Sequence, residues 1–428
     1  MEDLLNFLAA AKTQYHAVRK LKEMLDKEGF KELNEEETYE LNPLEKYYII
    51  RNSSSIMAFK TPKNINDTYL KIVASHTDSP TLKVKPNNKL ILDQYSSLNV
   101  EVYGGSIYSS FFDRPLSLAG RAYIKKNDKI LETLVDFDSD LLVIPNECIH
   151  FNREVNSGKN YNAQIDLIPL LGNKDADLNK MLAANLKVRE DDILSFDLQV
   201  YNRYRGSIIG ANKEYFMAPQ IDNLESAYLT LKGFLDGNDD EALNIYVSFD
   251  NEEVGSRTKQ GAGSGFMSTN LVRIFKALGA LDDALDKSIA RGLLVSCDNA
   301  HAVHPNDLGK TDKLNKVYMN EGIVIKYNAN QAYTTDAMSS AVLKRIFELN
   351  SIKYQEFTNR SDVRGGSTLG AISTQMVSIP SVDIGLAQLA MHSACETAGV
   401  YDAKILESGM KAFYDTKIKK EKNCYIIK

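Results

Sequence analysis

Apolar runs of strand length recur along the chain, and most stop abruptly at polar side chains. Residues 69–75 (YLKIVAS) lead into His76-Thr77-Asp78, and residues 243–249 (LNIYVSF) lead into Asp250, Asn251, Glu252 and Glu253. Residues 290–297 (ARGLLVSC) end at Asp298, with His301 and His304 just beyond. Residues 322–327 (GIVIKY) carry Lys326 near their end, and residues 377–385 (VSIPSVDIG) precede a segment holding His392. Short continuous apolar runs of this kind read as buried strands. Between them lie stretches of helical period at 2–29, 224–235, 264–280, 335–350 and 397–419. Residues 46–60 read as a hairpin turning at Asn52-Ser53-Ser54.

The texture changes between about Pro86 and Met217. Short β-like stretches recur there, LLVIP among them, and helical patterning is confined to 176–188. The pattern predicts a β-rich unit (87–217) inserted into an α/β chain (1–86 and 218–428). No internal repeat or low-complexity tract interrupts it. GAGSG at 261–265 lacks the Lys-Ser/Thr of a phosphate loop.

Composition narrows the function more than the fold. Length, at 428 residues, suits two or three domains. The 51 basic and 57 acidic residues leave a net charge of −6, which argues against nucleic-acid and anionic-membrane partners. The N-terminus carries acids before its apolar stretch, unlike a signal peptide, and no run reaches membrane-spanning length. The expected location is the cytoplasm. Cys148, Cys297, Cys395 and Cys424 are scattered and read as reduced thiols.

Only six histidines are present, so each can be weighed. His16 sits among polar residues and reads as a surface side chain. His150, flanked by apolar residues, reads on local pattern as core. His76 in a His-x-Asp arrangement suits a metal ligand whose second ring nitrogen Asp78 holds, although a turn histidine explains the same residues. Asp222, at the start of the helix LESAYLTLKGFL, fits an N-cap as well as it fits a ligand. Glu252 and Glu253 are adjacent, so outside a helix they point different ways. One could bind a metal while the other faces a water on it.

Parallel strands would bring these strand ends to one edge of a sheet. The mixture of imidazole and carboxylate, without a thiolate cluster, suits a catalytic zinc pair rather than a closed structural site. Five protein ligands can serve two ions when one carboxylate bridges, and Asp222 is the best placed to do so. Glu252 is then free to act as a base.

The motifs SHTDSPTLKVKP, YGGSIYSSFFDRPLSLAGR, PQIDNLESAY, FDNEEVGS, DNAHAVHPN, VIKYNANQAY, GGSTLG and AMHSACE are ordered from about residue 75 to 396. Together they resemble the aspartyl aminopeptidase and vacuolar aminopeptidase I family. The resemblance implies an α/β fold of the zinc-exopeptidase kind, a central mixed sheet flanked by helices, with an inserted mostly β dimerisation domain. It implies a two-metal aminopeptidase, with zinc the first choice and cobalt or manganese as alternatives. His76, Asp222, Glu253, Asp298 and His392 would be ligands, with Asp222 bridging. Glu252 would be the general base and Asp78 would orient His76. Lys326 would contact substrate, and His150, in IHFNR, would reach a neighbouring subunit's active site. That role displaces the core reading of His150, whereas His301 and His304 stay structural. The family's dimers build a dodecamer, so a homo-oligomer acting on peptides is expected.

Two departures bear on specificity. Cys395 stands where the aspartyl branch has a basic residue, and Arg364 stands where the family usually has proline. Acidic and neutral N-terminal residues therefore both remain candidate substrates. Two other readings compete: a metal-dependent N-acyl amino acid deacylase, and a non-catalytic assembly protein. The intact ligand set with a free Glu252 favours the peptidase.

Overall fold

The computed structural model describes every residue except Arg364 and Asn423. Its main sheet has nine strands in the order 31–33, 46–51, 55–60, 243–249, 70–76, 293–297, 381–385, 323–327 and 354–358. The four central ones, 243–249, 70–76, 293–297 and 381–385, are mutually parallel neighbours. They are buried along their whole length. Burial on both faces explains why they read as continuous apolar runs rather than alternating ones.

Alternation nevertheless decides which core each side chain joins. Leu70, Ile72, Ala74, Leu243, Ile245 and Val247 pack on one face with helices Phe266–Ala277, Ala284–Arg291 and Leu369–Met376. Val73, Tyr246 and Val295 pack on the other face with helices Ile221–Asp236 and Val400–Asp415. The mixed sheet flanked by helices is the α/β architecture expected.

The strand Ile323–Tyr327 runs antiparallel to Ser381–Gly385. Its end therefore points away from the edge where the other strands stop, contrary to the reading of it as one more member of that set. A six-stranded antiparallel sheet spans Thr81 to Asn202 and encloses its own core. It starts a few residues before the expected insert boundary. The expected strand LLVIP forms only isolated bridges at Leu142, Val143 and Ile144.

Residues 207–209 and 215–218 join a different, five-stranded sheet with 396–399, 387–389 and 300–301. Residues 397–399 thus leave the helix expected over 397–419, which occupies Val400–Asp415. His16 is half-buried rather than a free surface side chain, and its Nδ1 pairs with the Thr13 hydroxyl at 2.9 Å.

Candidate active site

Three of the parallel strands end within one cluster. His76 closes Leu70–His76, Glu252 and Glu253 follow Leu243–Phe249, and Asp298 follows Leu293–Cys297. Asp222 comes from the start of the helix at 221–236, and His392 from the loop after Ala387–Leu389.

Asp222 lies between the two imidazoles. Its Oδ1 is 3.4 Å from His76 Nε2, and its Oδ2 is 3.5 Å from His392 Nε2. Asp298 Oδ1 is 3.6 Å from His76 Nε2, and Glu253 Oε1 is 3.4 Å from His392 Nε2. The sets His76–Asp222–Asp298, His76–Glu252–Glu253 and Asp222–Glu253–His392 each bring their donor atoms within 4.8 Å of one another. Asp222 adopts non-helical angles, and no first-turn amide is bonded to its carboxylate among the described residues. The carboxylate is thus left to the imidazoles and does not cap the helix.

The local backbone is shaped for this approach. Asn251, Gln220 and His392 have φ of +65°, +60° and +68°, a left-handed conformation that non-glycine residues adopt at a cost. Gly104, at φ +73°, passes so close to Glu253 that an added Cβ would meet the Glu253 Cβ at 3.1 Å. At Gly385 a Cβ would lie 1.8 Å from the Asp298 carbonyl oxygen, so only glycine lets the ends of these two neighbouring strands come together.

Electrostatics mark a site built for positive charge. Burial favours a neutral His76 ring, but Asp222, Asp298 and Asp78 outweigh it and hold its pKa well above the usual value. Burial works against ionised Asp222, yet His392 and His76 hold its carboxyl well below the usual range. Burial and neighbouring carboxylates push Glu253 well above its ordinary value. Glu252 rises to about 8 for the same reasons, chiefly burial, with the His76 ring opposing. Asp222 Oδ1 and Glu253 Oε1 are buried without a hydrogen-bond partner. Such atoms cost about 1–3 kcal/mol each, more when charged. A divalent cation among these oxygens and imidazole nitrogens would remove that cost, and the donor set is the one zinc accepts.

The remaining expected residues take other places. Asp78 is buried beneath the cluster, and its main-chain carbonyl, at 3.0 Å, lies nearer His76 Nδ1 than its carboxylate, at 3.4 Å. Lys326 is buried, and its ammonium donates to the carbonyls of Asp298 at 2.8 Å and Asn299 at 3.3 Å. His150 is exposed in a turn beside Ile149 and Phe151, themselves 49% and 87% exposed, so the core reading fails. Arg364 lies outside the described residues. Cys395 is half-buried, and burial pushes its thiol up to about 11.

Sequence reasoning passed over two residues. Tyr103 donates to Asp78 Oδ2 at 2.7 Å, and the Glu396 carboxylate accepts the amides of Asp222 and His392 at 2.9 and 2.7 Å. Both lie inside motifs singled out above, at the start of YGGSIYSS and the end of AMHSACE. The only sequence signal of Glu396 is its place four residues after His392, and Tyr103 lies 25 residues from Asp78.

Six carboxylate and imidazole groups gathered at the carboxyl edge of a mixed α/β sheet define a metal-dependent hydrolase. Residues 7–414 match the family described as aminopeptidase I zinc metalloprotease (M18), and the chain belongs to it. It is accordingly a metal-dependent aminopeptidase, a hydrolase acting at peptide N-termini. The chain is 42% identical over 423 residues to the probable M18 family aminopeptidase 2 of Clostridium novyi, covering 96% of this chain and 98% of that one. A chain of the solved Ape4 and Nbr1 complex superimposes with a TM-score of 0.93 at 32% identity, covering 96% of this chain and 84% of that one. The S. cerevisiae mApe1 dodecamer has the same fold, with a TM-score of 0.84 at 24% identity and coverage of 96% and 95%.

Proposed function

We propose that the chain holds two divalent ions, zinc in preference to cobalt or manganese, and removes single acidic or neutral residues from peptide N-termini. The observation that carries this reading is Asp222 set between two imidazoles, one oxygen toward each. His76 and Asp298 would complete one ion's set, and Glu253 and His392 the other's. Bound there, such ions supply Lewis acidity to the scissile carbonyl and acidify water.

The chain's own groups supply the remainder. Glu252 is partly open to the cleft, and none of the described hydrogen bonds involves its carboxylate. It takes the proton of the attacking water and returns it to the departing amine. The surplus of carboxylates over imidazoles offers counter-charge to a substrate α-ammonium, which favours an exopeptidase. Lys326 supports the Asp298 end of the site, and through it the substrate. His150 would act at a neighbouring subunit's site, since it stands exposed on its own chain.

The sheet over residues 81–202, close to the insert expected at 87–217, is the proposed oligomerisation unit. A homo-oligomer built from dimers follows, and the mApe1 dodecamer supports a dodecamer as its form. No described helix is long and apolar enough to cross a membrane. A cytoplasmic location is proposed on the four scattered cysteines, which are free thiols. Neither the deacylase nor the assembly-protein reading has a specific observation in its favour.

Activity against a dipeptide and aminoacyl-anilide panel, with metal content measured before and after chelation, tests this directly. Two ions per chain and chelation-sensitive release of N-terminal residues are expected. One ion per chain, or activity untouched after the metal is gone, overturns it.

A further inference from the structure

Glu396 is a fully buried carboxylate, 1% exposed, in the strand Glu396–Gly399. Its main chain pairs with Ala218, the residue from which the chain turns through Pro219 and Gln220 toward Asp222. Its side chain then reaches the ligand cluster from behind. Oε2 accepts the amide of Asp222 at 2.9 Å, and Oε1 accepts the amide of His392 at 2.7 Å and the Gln388 side-chain amide at 3.3 Å.

The two main chains it joins come from distant parts of the sequence, and both are under conformational tension. Gln220, two residues before Asp222, is left-handed at φ +60°, and His392 itself is left-handed at φ +68°. The two oxygens of one carboxyl group take these two amides, so the two turns share a single anchor. One buried carboxylate can therefore hold both turns in a shape they would not keep alone. Two contacts fix the other side of His392. Its Nδ1 donates to the Gly105 carbonyl at 3.1 Å, and its carbonyl accepts from the Ile107 amide at 3.0 Å. Glu396 is the one group among the described residues that binds the main chain of Asp222 and of His392 together.

We propose that Glu396 is a positioning residue that sets the separation of the Asp222 carboxylate and the His392 imidazole, and so the affinity of that half of the site for a divalent ion. The ion's part in this rests on the two-ion reading above, whereas the clamp itself does not. Asp222 and His392 approach to 3.5 Å, and their main chains share one acceptor. A shift in that acceptor therefore moves both ligands. Outer partners of metal ligands typically change affinity or activity by about 10–100-fold.

The test is Glu396→Gln, which keeps the shape and replaces one acceptor oxygen with a donor facing an N–H. In the metal-free protein, hydrogen exchange in the peptides containing Asp222 and His392 should accelerate by about tenfold or more at one or both amides. Zinc affinity, read by competition with a chromophoric chelator, should fall by about 10–100-fold. On a Leu-anilide, kcat should fall in step while KM stays within about threefold, with partial recovery in excess zinc. A merely structural residue would lower the melting temperature and leave exchange and zinc affinity where they were.

Exchange and zinc affinity both within twofold of the parent would overturn the proposal. Where the Gln variant does not fold, Glu396→Asp carries the same readouts, because the shorter side chain keeps the carboxyl group but reaches only one amide. A parent protein that binds no zinc would end the two-ion reading, and exchange in the metal-free state would still decide the clamp.

Discussion

Asp78 holds Glu252 by its main chain: Asp78 Oδ1 accepts the Glu252 amide at 3.1 Å. Its other oxygen accepts the Glu253 amide at 3.2 Å and the Tyr103 hydroxyl at 2.7 Å. The His-x-Asp pattern suggested that this carboxylate orients His76. In the structure it spends its hydrogen-bonding capacity mainly on the turn that presents Glu252 and Glu253, while its carbonyl serves the ring. Asp78→Asn should lower kcat/KM by about 10–100-fold. Tyr103→Phe, which leaves both amide bonds in place, should cost less than about tenfold. Equal and small losses in both variants would mean that the turn holds itself.

Glu252 is the carboxylate of the cluster that makes no ion pair or hydrogen bond among the described residues, whereas Asp222, Asp298 and Glu253 each face an imidazole. Glu252→Gln keeps its volume and removes its basicity. Turnover should drop by about 10²–10⁴-fold with metal content unchanged. Rates near those of the parent, with metal content unchanged, would reassign the base.

A pH effect on stability is expected far from the site. Burial, with Lys12, Lys20 and Arg19 nearby, lowers the His16 pKa from 6.5 to about 4, against the opposing pull of Asp136. The Thr13 hydroxyl faces its Nδ1 at 2.9 Å, which suits a neutral ring. The folded state therefore resists protonation that the unfolded chain accepts from about pH 6.5 downward. Stability supplied by the neutral ring is present above pH 6.5 and is lost as pH falls toward 4, to the extent of about 1–3 kcal/mol. Thermal melts at pH 7.5 and 4.5 should show a smaller drop for His16→Gln than for the parent. Identical drops would remove His16 from the account.

Much of the site was legible because strands buried on both faces are largely apolar, so carboxylates and imidazoles gathered at their ends stand out. His76, Glu252, Glu253 and Asp298 announced themselves in that way, and parallel pairing turned sequence positions into one edge. Other features left weaker traces. The five-stranded sheet is built from segments as short as Ala300–His301, too short for any period to register. The direction of Ile323–Tyr327 depends on its neighbours rather than on its own residues. Glu396 and Asp78 act by accepting main-chain amides, a role that any buried acid could fill and that no spacing encodes. His150 misled on local pattern because its apolar neighbours Ile149 and Phe151 are exposed rather than packed.

Lys326 offers a direct choice between two roles. Family resemblance makes it a substrate contact, whereas the structure has its ammonium donating to the carbonyls of Asp298 and Asn299 over the face of Tyr333, 5.1 Å from the ring centroid. A lysine this deeply buried needs such partners, and its charge also lies among carboxylates, including Asp298 and Asp383, that raise its pKa against burial. Lys326→Met keeps the length of the side chain and removes the donor. If the ammonium works by tying down the Asp298 turn, metal affinity and kcat should fall together by about tenfold and KM should hardly move. If it works by gripping substrate, KM should rise while chelator competition reads the same metal affinity as in the parent. The packing predicts the first outcome, because both described hydrogen bonds of Lys326 go to main-chain carbonyls.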